Sequence, residues 1–328
     1  MSKSSRLLIR SAYVAAIGGF LFGFDTAVIS GAEKSIQDFW NLSGFWHGFT
    51  VAVALMGTVI GALTAGKPAD RFGRRNALMV VAALYLISAL GSSLSNMWVP
   101  FMVYRFLGGL GVGASSVIGP MYIAEIAPPH KRGKLVAMFQ FNVVTGILVA
   151  YLSNYIISVL ADVNAWRWMF GVEAIPAILF FSLLFGVPAT PRWLILKGRS
   201  DRAREILKLF KVSNLEEQVK TIEESIFSEK HVQSPRLFTK KLRFPVMLAI
   251  LVAFFNQFSG INAIMYYAPR IFEVAGVARE SALLQSVAIG LTNLVFTIIA
   301  LNIIDRIGRK KLLLIGAAGL IVILLMVT

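Results

Sequence analysis

The chain has no cysteine, three histidines and few charges, and each shortage closes off a class of function. Without thiols there is no disulfide framework, no thiolate metal site and no cysteine nucleophile. His47, His130 and His231 are scattered over predicted helix ends and loops, so they read as incidental and gather no metal. No other nucleophile or cofactor motif stands out, which speaks against an enzyme and against a bound cofactor. Charged residues make up only 15% of the chain, against 57% hydrophobic. A soluble domain carries charge on about a quarter of its residues. Most of this chain must instead face lipid or other helices, and the fold class expected is an all-α integral membrane protein.

Acidic residues are scarcer than basic ones, 17 against 32, leaving a net charge of +15. Such an excess raises the question of nucleic acid, but these cations sit in a few short loops and not along an aromatic-bearing soluble face. No nucleic-acid partner is expected. Gly108, Gly109, Gly111 and Gly113 imitate a nucleotide loop, yet they lie inside an apolar span with no strand before them. Close helix packing is the better reading.

What the chain does have is long apolar runs. A crossing of the hydrocarbon takes about 20 residues, and suitable runs fall at 11–31, 47–66, 76–95, 98–124, 134–160, 166–187, 244–268, 282–303 and 312–328. The first follows Lys3, Arg6 and Arg10 as a signal peptide would, but it is too long and holds Asp25, so it reads as a retained span. Lys and Arg concentrate on one set of alternate loops, the other side holding only Lys34, Arg167, Arg270 and Arg279. That bias places the N-terminus in the cytoplasm of a protein of the cell membrane. Between the sixth and seventh spans lies a long polar segment where Ala203, Ile206, Leu207 and Phe210 share one helical face. The expected organisation is a six-helix bundle over 1–188, a cytosolic linker with short amphipathic helices over 189–243, and a partial second bundle over 244–328.

Two basic hinges tie these halves together. Gly66 to Arg75 reads GKPADRFGRR, and DRIGRK returns from Asp305 to Lys310, each between two apolar spans. Their places after the second and eighth spans imply a duplicated unit of six helices, the construction of secondary transporters. The last span stops at Thr328 with no polar flank, so a six-plus-six duplication should continue for three more helices.

Four ionisable residues fall within spans: Asp25, Arg105, Glu125 and Glu173. An Asp or Arg at mid-membrane costs about 2.5–3.5 kcal/mol even on lenient scales, so each needs a cavity or a partner. Asp25 and Arg105, on glycine-rich helices, are the natural pair. Desolvation opposes ionisation of the carboxyl and the guanidinium favours it, a balance suited to loading and releasing a proton. The alternative is a permanent ion pair fixing the first helix against the fourth. Glu125 and Arg132, with Arg71, Arg74 and Arg75, are expected to form a cytoplasmic ion-pair lattice, and Glu173, lacking an evident partner, belongs either to the same gate or to local packing. The seventh span carries Asn256, Gln257 and Asn262 around Gly260, where the helix is expected to break and line a cavity. Gln140 and Asn293 add amides from two other spans. Amides donate and accept together, which suits a neutral substrate rich in hydroxyls.

These stretches resemble the sugar porter family of the major facilitator superfamily. The resemblance rests on GGFLFGFDTAVISG, DRFGRR, YRFLGGLGVG, PMYIAEIAPPHKRGKL, WRWMF, PRWL, NQFSGINAIMYYAP and DRIGRK, and runs nearest to its bacterial xylose–proton symporters. It implies a major facilitator fold that moves a monosaccharide by alternating access, with protons and the lipid bilayer as the other partners. It further implies that Gln140, Asn256, Gln257, Asn262 and Asn293 contact sugar, that Tyr266 and Tyr267 belong to an outer gate, and that Asp25 with Arg105 couples protons. The cytoplasmic gate would comprise Asp70, Arg71, Arg74, Arg75, Glu125, Arg132, Glu173, Arg192, Asp305, Arg306 and Arg309. Asn256 stands where the family usually has glutamine, and Pro188-Ala189-Thr190-Pro191-Arg192 where it has Pro-Glu-Ser-Pro-Arg. The alternatives are a passive sugar facilitator, a non-transporting sugar sensor and an inactive fragment.

Overall fold

The computed structural model describes residues 3–161, 164–210, 214–231, 239 and 242–327. Every regular element among them is a helix. The first bundle comprises α1 (Lys3–Phe39), α2 (Gly44–Thr64), α3 (Gly66–Phe72), α4 (Arg74–Leu94), α5 (Trp98–Ile126), α6 (Pro129–Leu160), α7 (Ala165–Gly171) and α8 (Ala174–Leu184). Short helices α9 (Pro191–Leu196), α10 (Ser200–Leu209) and α11 (Leu215–His231) follow. Then come α12 (Arg243–Phe258), α13 (Ile261–Val274), α14 (Arg279–Ile307) and α15 (Arg309–Val327).

Eight segments of the described residues are long and apolar enough to cross a membrane, α7 with α8 and α12 with α13 each making one crossing. The ninth expected run is helical as α15 but is not among those eight. The first crossing extends well past its expected end at 31, and Glu33, Lys34 and Gln37 in the added turns find partners on α13.

The core sits around α1, which packs on α5, α6, α7, α8 and α13. Its approach to α6 depends on missing side chains. A Cβ on Gly146 would fall on the Phe20 carbonyl, and one on Gly23 on the Val143 carbonyl. Two glycines leave the backbones free to touch, the small-residue solution to packing in lipid. The large buried side chains Tyr85, Phe101, Tyr122, Trp166, Phe170 and Phe180 fill the rest of this bundle.

The duplicated hinge is visible in the backbone. Gly73 lies between α3 and α4 at φ 90°, ψ 151°, and Gly308 between α14 and α15 at φ 86°, ψ 148°. Side-chain-bearing residues are essentially excluded from that region. Two sequence copies therefore adopt one unusual turn.

On α10, Ala203, Leu207 and Phe210 are buried as their spacing predicts, and Ala203 and Leu207 form a small separate core with Leu194, Ile195, Val219 and Ile226. The segment between the bundles is thus a packed helical layer. Residues 232–238, 240 and 241 lie outside the described residues.

Candidate functional site

Asp25 and Arg105 meet in the middle of the first bundle. Nη1 of Arg105 donates to Asp25 Oδ1 at 2.5 Å, and Nη2 reaches the Asp25 carbonyl at 3.3 Å and Oδ2 at 3.4 Å. Each residue is 2% exposed. The guanidinium also lies over the Phe170 ring, 5.1 Å from its centroid, a favourable placement for a desolvated cation. Gly108 makes room: a Cβ there would meet the Ser88 hydroxyl and sit 3.4 Å from Asp25 Oδ1.

Glu173 belongs to this pair and not to the cytoplasmic gate. It stands at the junction of α7 and α8, fully buried, within reach of the charges of Asp25 and Arg105. The 11 residues of α8 separate it from the end of its crossing at Leu184, roughly 16 Å at the helical rise of 1.5 Å per residue. That distance rules out the gate assignment. Neither carboxylate oxygen has a hydrogen-bond partner among the described protein groups, and the buried hydroxyls of Tyr85, Ser88, Ser92 and Ser115 are in the same position. Tyr85 connects them, feeling the charges of both acids and lying beside Ser115. If all three ionise, two buried carboxylates share one guanidinium, which leaves one negative charge to be neutralised. Depth counting would have found this trio, since Arg105 and Glu173 lie similarly far below the outer ends of their crossings.

The seventh crossing breaks where expected. Gly260 takes a left-handed conformation, φ 78°, between α12 and α13, and a second kink falls at Tyr267 near Pro269. Across the break, Asn262 Nδ2 donates to Gln257 Oε1 at 2.7 Å, and Ser259 bonds the Asn256 carbonyl at 2.6 Å. Asn256, Gln257 and Gln140 are exposed, while Asn262 and Asn293 are half-buried. Gln140 on α6 and Asn293 on α14 come from helices that pack directly together. Tyr266 is buried and feels the charges of Asp25 and Arg105, so α13 reaches the ion pair from the other bundle. Tyr151 of α6 donates to the Met265 carbonyl at 2.7 Å, a second link to α13.

The lattice expected on the cytoplasmic side forms only in part. Arg74 bonds Glu125 Oε1 at 2.9 Å and Asp70 Oδ1 at 2.9 Å. Arg75 donates to the carbonyls of Leu184 and Phe185, and Trp193 Nε1 to that of Asp70 at 3.1 Å. Arg192 bonds Ser225 at 3.1 Å and lies within charge reach of Glu125, against which Thr190 also packs. Arg132 does not take the expected place beside Glu125: Arg74 holds that carboxylate, and Arg132 is exposed in the first turn of α6. Arg71 is exposed over Phe72. Arg306 and Arg309 are exposed too, and the side chain of Asp305 lies outside the described residues. The two copies of the hinge are therefore not brought together as one lattice.

A cluster that sequence reasoning missed lies near the end of α1, the start of α2 and the end of α13. Glu33 is buried there with His47 and Arg270, so His47 is not incidental. The outer cations were evident in the sequence; their acid partners Glu33 and Glu273 were the unread signal.

Comparison with known proteins gives consistent matches. The family model for sugar (and other) transporters matches residues 11–328. The D-xylose-proton symporter of Escherichia coli (strain K12) is 40% identical over 341 residues, covering 94% of this chain and 69% of that protein. The arabinose-proton symporter of Bacillus subtilis (strain 168) is 36% identical over 332 residues, covering 99% and 72%. Among solved structures, the partially occluded inward-open conformation of the E. coli xylose transporter XylE superposes with a TM-score of 0.84 at 37% identity, covering 95% of this chain and 76% of that one.

Proposed function

The chain belongs to the sugar (and other) transporter family, and we propose that it moves a monosaccharide across the cell membrane by alternating access coupled to proton symport. The observation that carries this reading is the buried Asp25–Arg105 pair, with Glu173 beside it and Tyr266 of the second bundle within reach of its charge. An ionised pair is held by its own attraction. Protonating Asp25 removes that attraction and frees Arg105, which alters the contacts of α1, α5 and α13 together. Sugar bound against α13 and the proton on α1 thereby act on one equilibrium, and each shifts the other's affinity. Relatives that are proton symporters of xylose and of arabinose support the substrate class.

Gln257 and Asn262, set at the Gly260 break, present the sugar-contacting amides with Asn256, and Gln140 and Asn293 complete the site from α6 and α14. Tyr266 and Tyr267 close it on the outside. The Asp70–Arg74–Glu125 group, with Arg75 and Arg192, steadies the cytoplasmic end of the first bundle against the packed helices α9 to α11. The N-terminus lies in the cytoplasm, and the chain divides into a bundle over 1–188, a linker layer over 189–243 and part of a second bundle over 244–328.

Adding sugar to a lightly buffered suspension of cells expressing the protein tests the reading. Symport requires the medium to turn alkaline as sugar enters. Uptake without that change means passive facilitation.

A further inference from the structure

On the outer side, away from the Asp25–Arg105 pair, a histidine and an arginine from two helices converge on one carboxylate of a third. Glu33 of α1 is 2% exposed. Its Oε2 accepts a hydrogen bond from Nη1 of Arg270 on α13 at 3.0 Å and lies 2.8 Å from Nε2 of His47 on α2. The imidazole is buried and that nitrogen has no hydrogen-bond partner among the described residues, so it is in place for an ion pair once it carries a proton. Arg270 also donates to Gln37 Oε1 at 2.9 Å. Alongside, Lys34 of α1 pairs with Glu273 of α13, and Arg279 at the start of α14 donates to Ser35 at 2.9 Å. Tyr267 of α13 meets the His47 ring edge-on at 5.9 Å and feels the charges of Glu33 and Arg270.

Glu33 and His47 belong to the first bundle, Arg270 to the second. Any opening of the outer side must part them. We infer that Glu33, His47 and Arg270 form a latch that holds the outer gate shut and that a proton arriving on His47 from outside releases it. With the imidazole neutral, Glu33 is answered across the gap by Arg270. With the imidazole charged, Glu33 has a cation in its own bundle, on the oxygen that Arg270 shares. His47 then repels Arg270 and replaces it, so a pair between bundles becomes a pair within one. Histidine is the side chain suited to make that exchange near neutral pH. Lys34–Glu273 and Arg279–Ser35 are untouched by it and supply the return force. The release favours an outward-facing carrier when protons are plentiful outside. The inference rests on the alternating-access reading, but what it claims about the gate can fail by itself.

The absence of native cysteine permits a clean distance measurement. Phe45 at the start of α2 and Val274 at the end of α13 are 74% and 83% exposed. Spin labels on the F45C/V274C pair, read by double electron–electron resonance in proteoliposomes, report the outer gap. Lowering the pH from about 8 to about 5.5 should raise the long-distance population about threefold or more. His47→Gln, which keeps the shape and cannot charge, should abolish that response, and Glu33→Gln should show the long distance already at the higher pH. The response should survive in Asp25→Asn, where symport is lost. A pH response that persists in His47→Gln, one that vanishes in Asp25→Asn, or a Glu33→Gln protein still closed at the higher pH overturns the latch. Loss of sugar-driven alkalinisation with the latch response intact would sink the symport reading alone.

Discussion

Glu173 faces Arg105 within reach of its charge, while that guanidinium is already bound to Asp25 through a 2.5 Å hydrogen bond. Two acids and one base in a dry core make protonation of either acid depend on the other.

Replacing Glu173 by Gln removes one of the competing negative charges. Asp25 then has Arg105 to itself. The pH profile of sugar uptake in Glu173→Gln should differ from that of the parent, with the maximal rate at the new optimum largely retained. A profile identical to that of the parent would mean that the two acids do not share a titration.

The amides at the break of the seventh crossing should govern affinity. Gln257→Ala leaves a sugar hydroxyl without its partner and also removes the acceptor of Asn262, at 2.7 Å. An unmet hydrogen bond of this kind costs about 1–3 kcal/mol, equivalent to roughly 5- to 100-fold in KM. Initial-rate uptake over a range of sugar concentrations checks it; an unchanged KM places the sugar elsewhere.

Close approach of α1 to α6 should be intolerant of a single methyl group. Gly146→Ala gains about 1 kcal/mol of helix propensity, yet the new Cβ falls on the Phe20 carbonyl and overpacking costs about 1–3 kcal/mol. The expected outcome is a lower Tm in detergent despite the better helix former. Stability equal to or above the parent's would show that the two helices can part without loss.

The strained hinge makes a matched prediction at two sites. Gly73→Ala and Gly308→Ala each force a Cβ into a region essentially reserved for glycine, at about 1–3 kcal/mol. Gly73 is the tighter, because Trp193 packs against it 3.0 Å from where that Cβ would be. Thermal unfolding should show Gly73→Ala as the more harmful of the two, and the reverse order would remove Trp193 from the account.

Much of this architecture is legible in the sequence, for physical reasons that differ between elements. Apolar length alone reveals the crossings, because lipid tolerates few exceptions. Asp25 and Arg105 announce each other by being charges of opposite sign in oil. The hinge turns at Gly73 and Gly308 are readable because the glycine recurs at the same place in both copies. Glu173 misleads only until its depth is counted, since it lies about as far along its crossing as Arg105 does along α5. The apolar count ends α1 at 31, short of its true end, because Glu33, Lys34 and Gln37 are polar and their partners Arg270 and Glu273 lie far away in sequence on α13. Arg132 is the converse case, near Glu125 in sequence but displaced from it by Arg74 from another helix.

The central claim is that the carboxylate of Asp25 carries the proton that drives accumulation. The direct measurement is sugar uptake by Asp25→Asn protein in proteoliposomes, scored both for accumulation against a gradient and for exchange of labelled sugar at equilibrium. The account predicts that accumulation driven by an imposed pH gradient disappears while exchange continues. Asp25→Asn protein that still concentrates sugar in response to the pH gradient would contradict it.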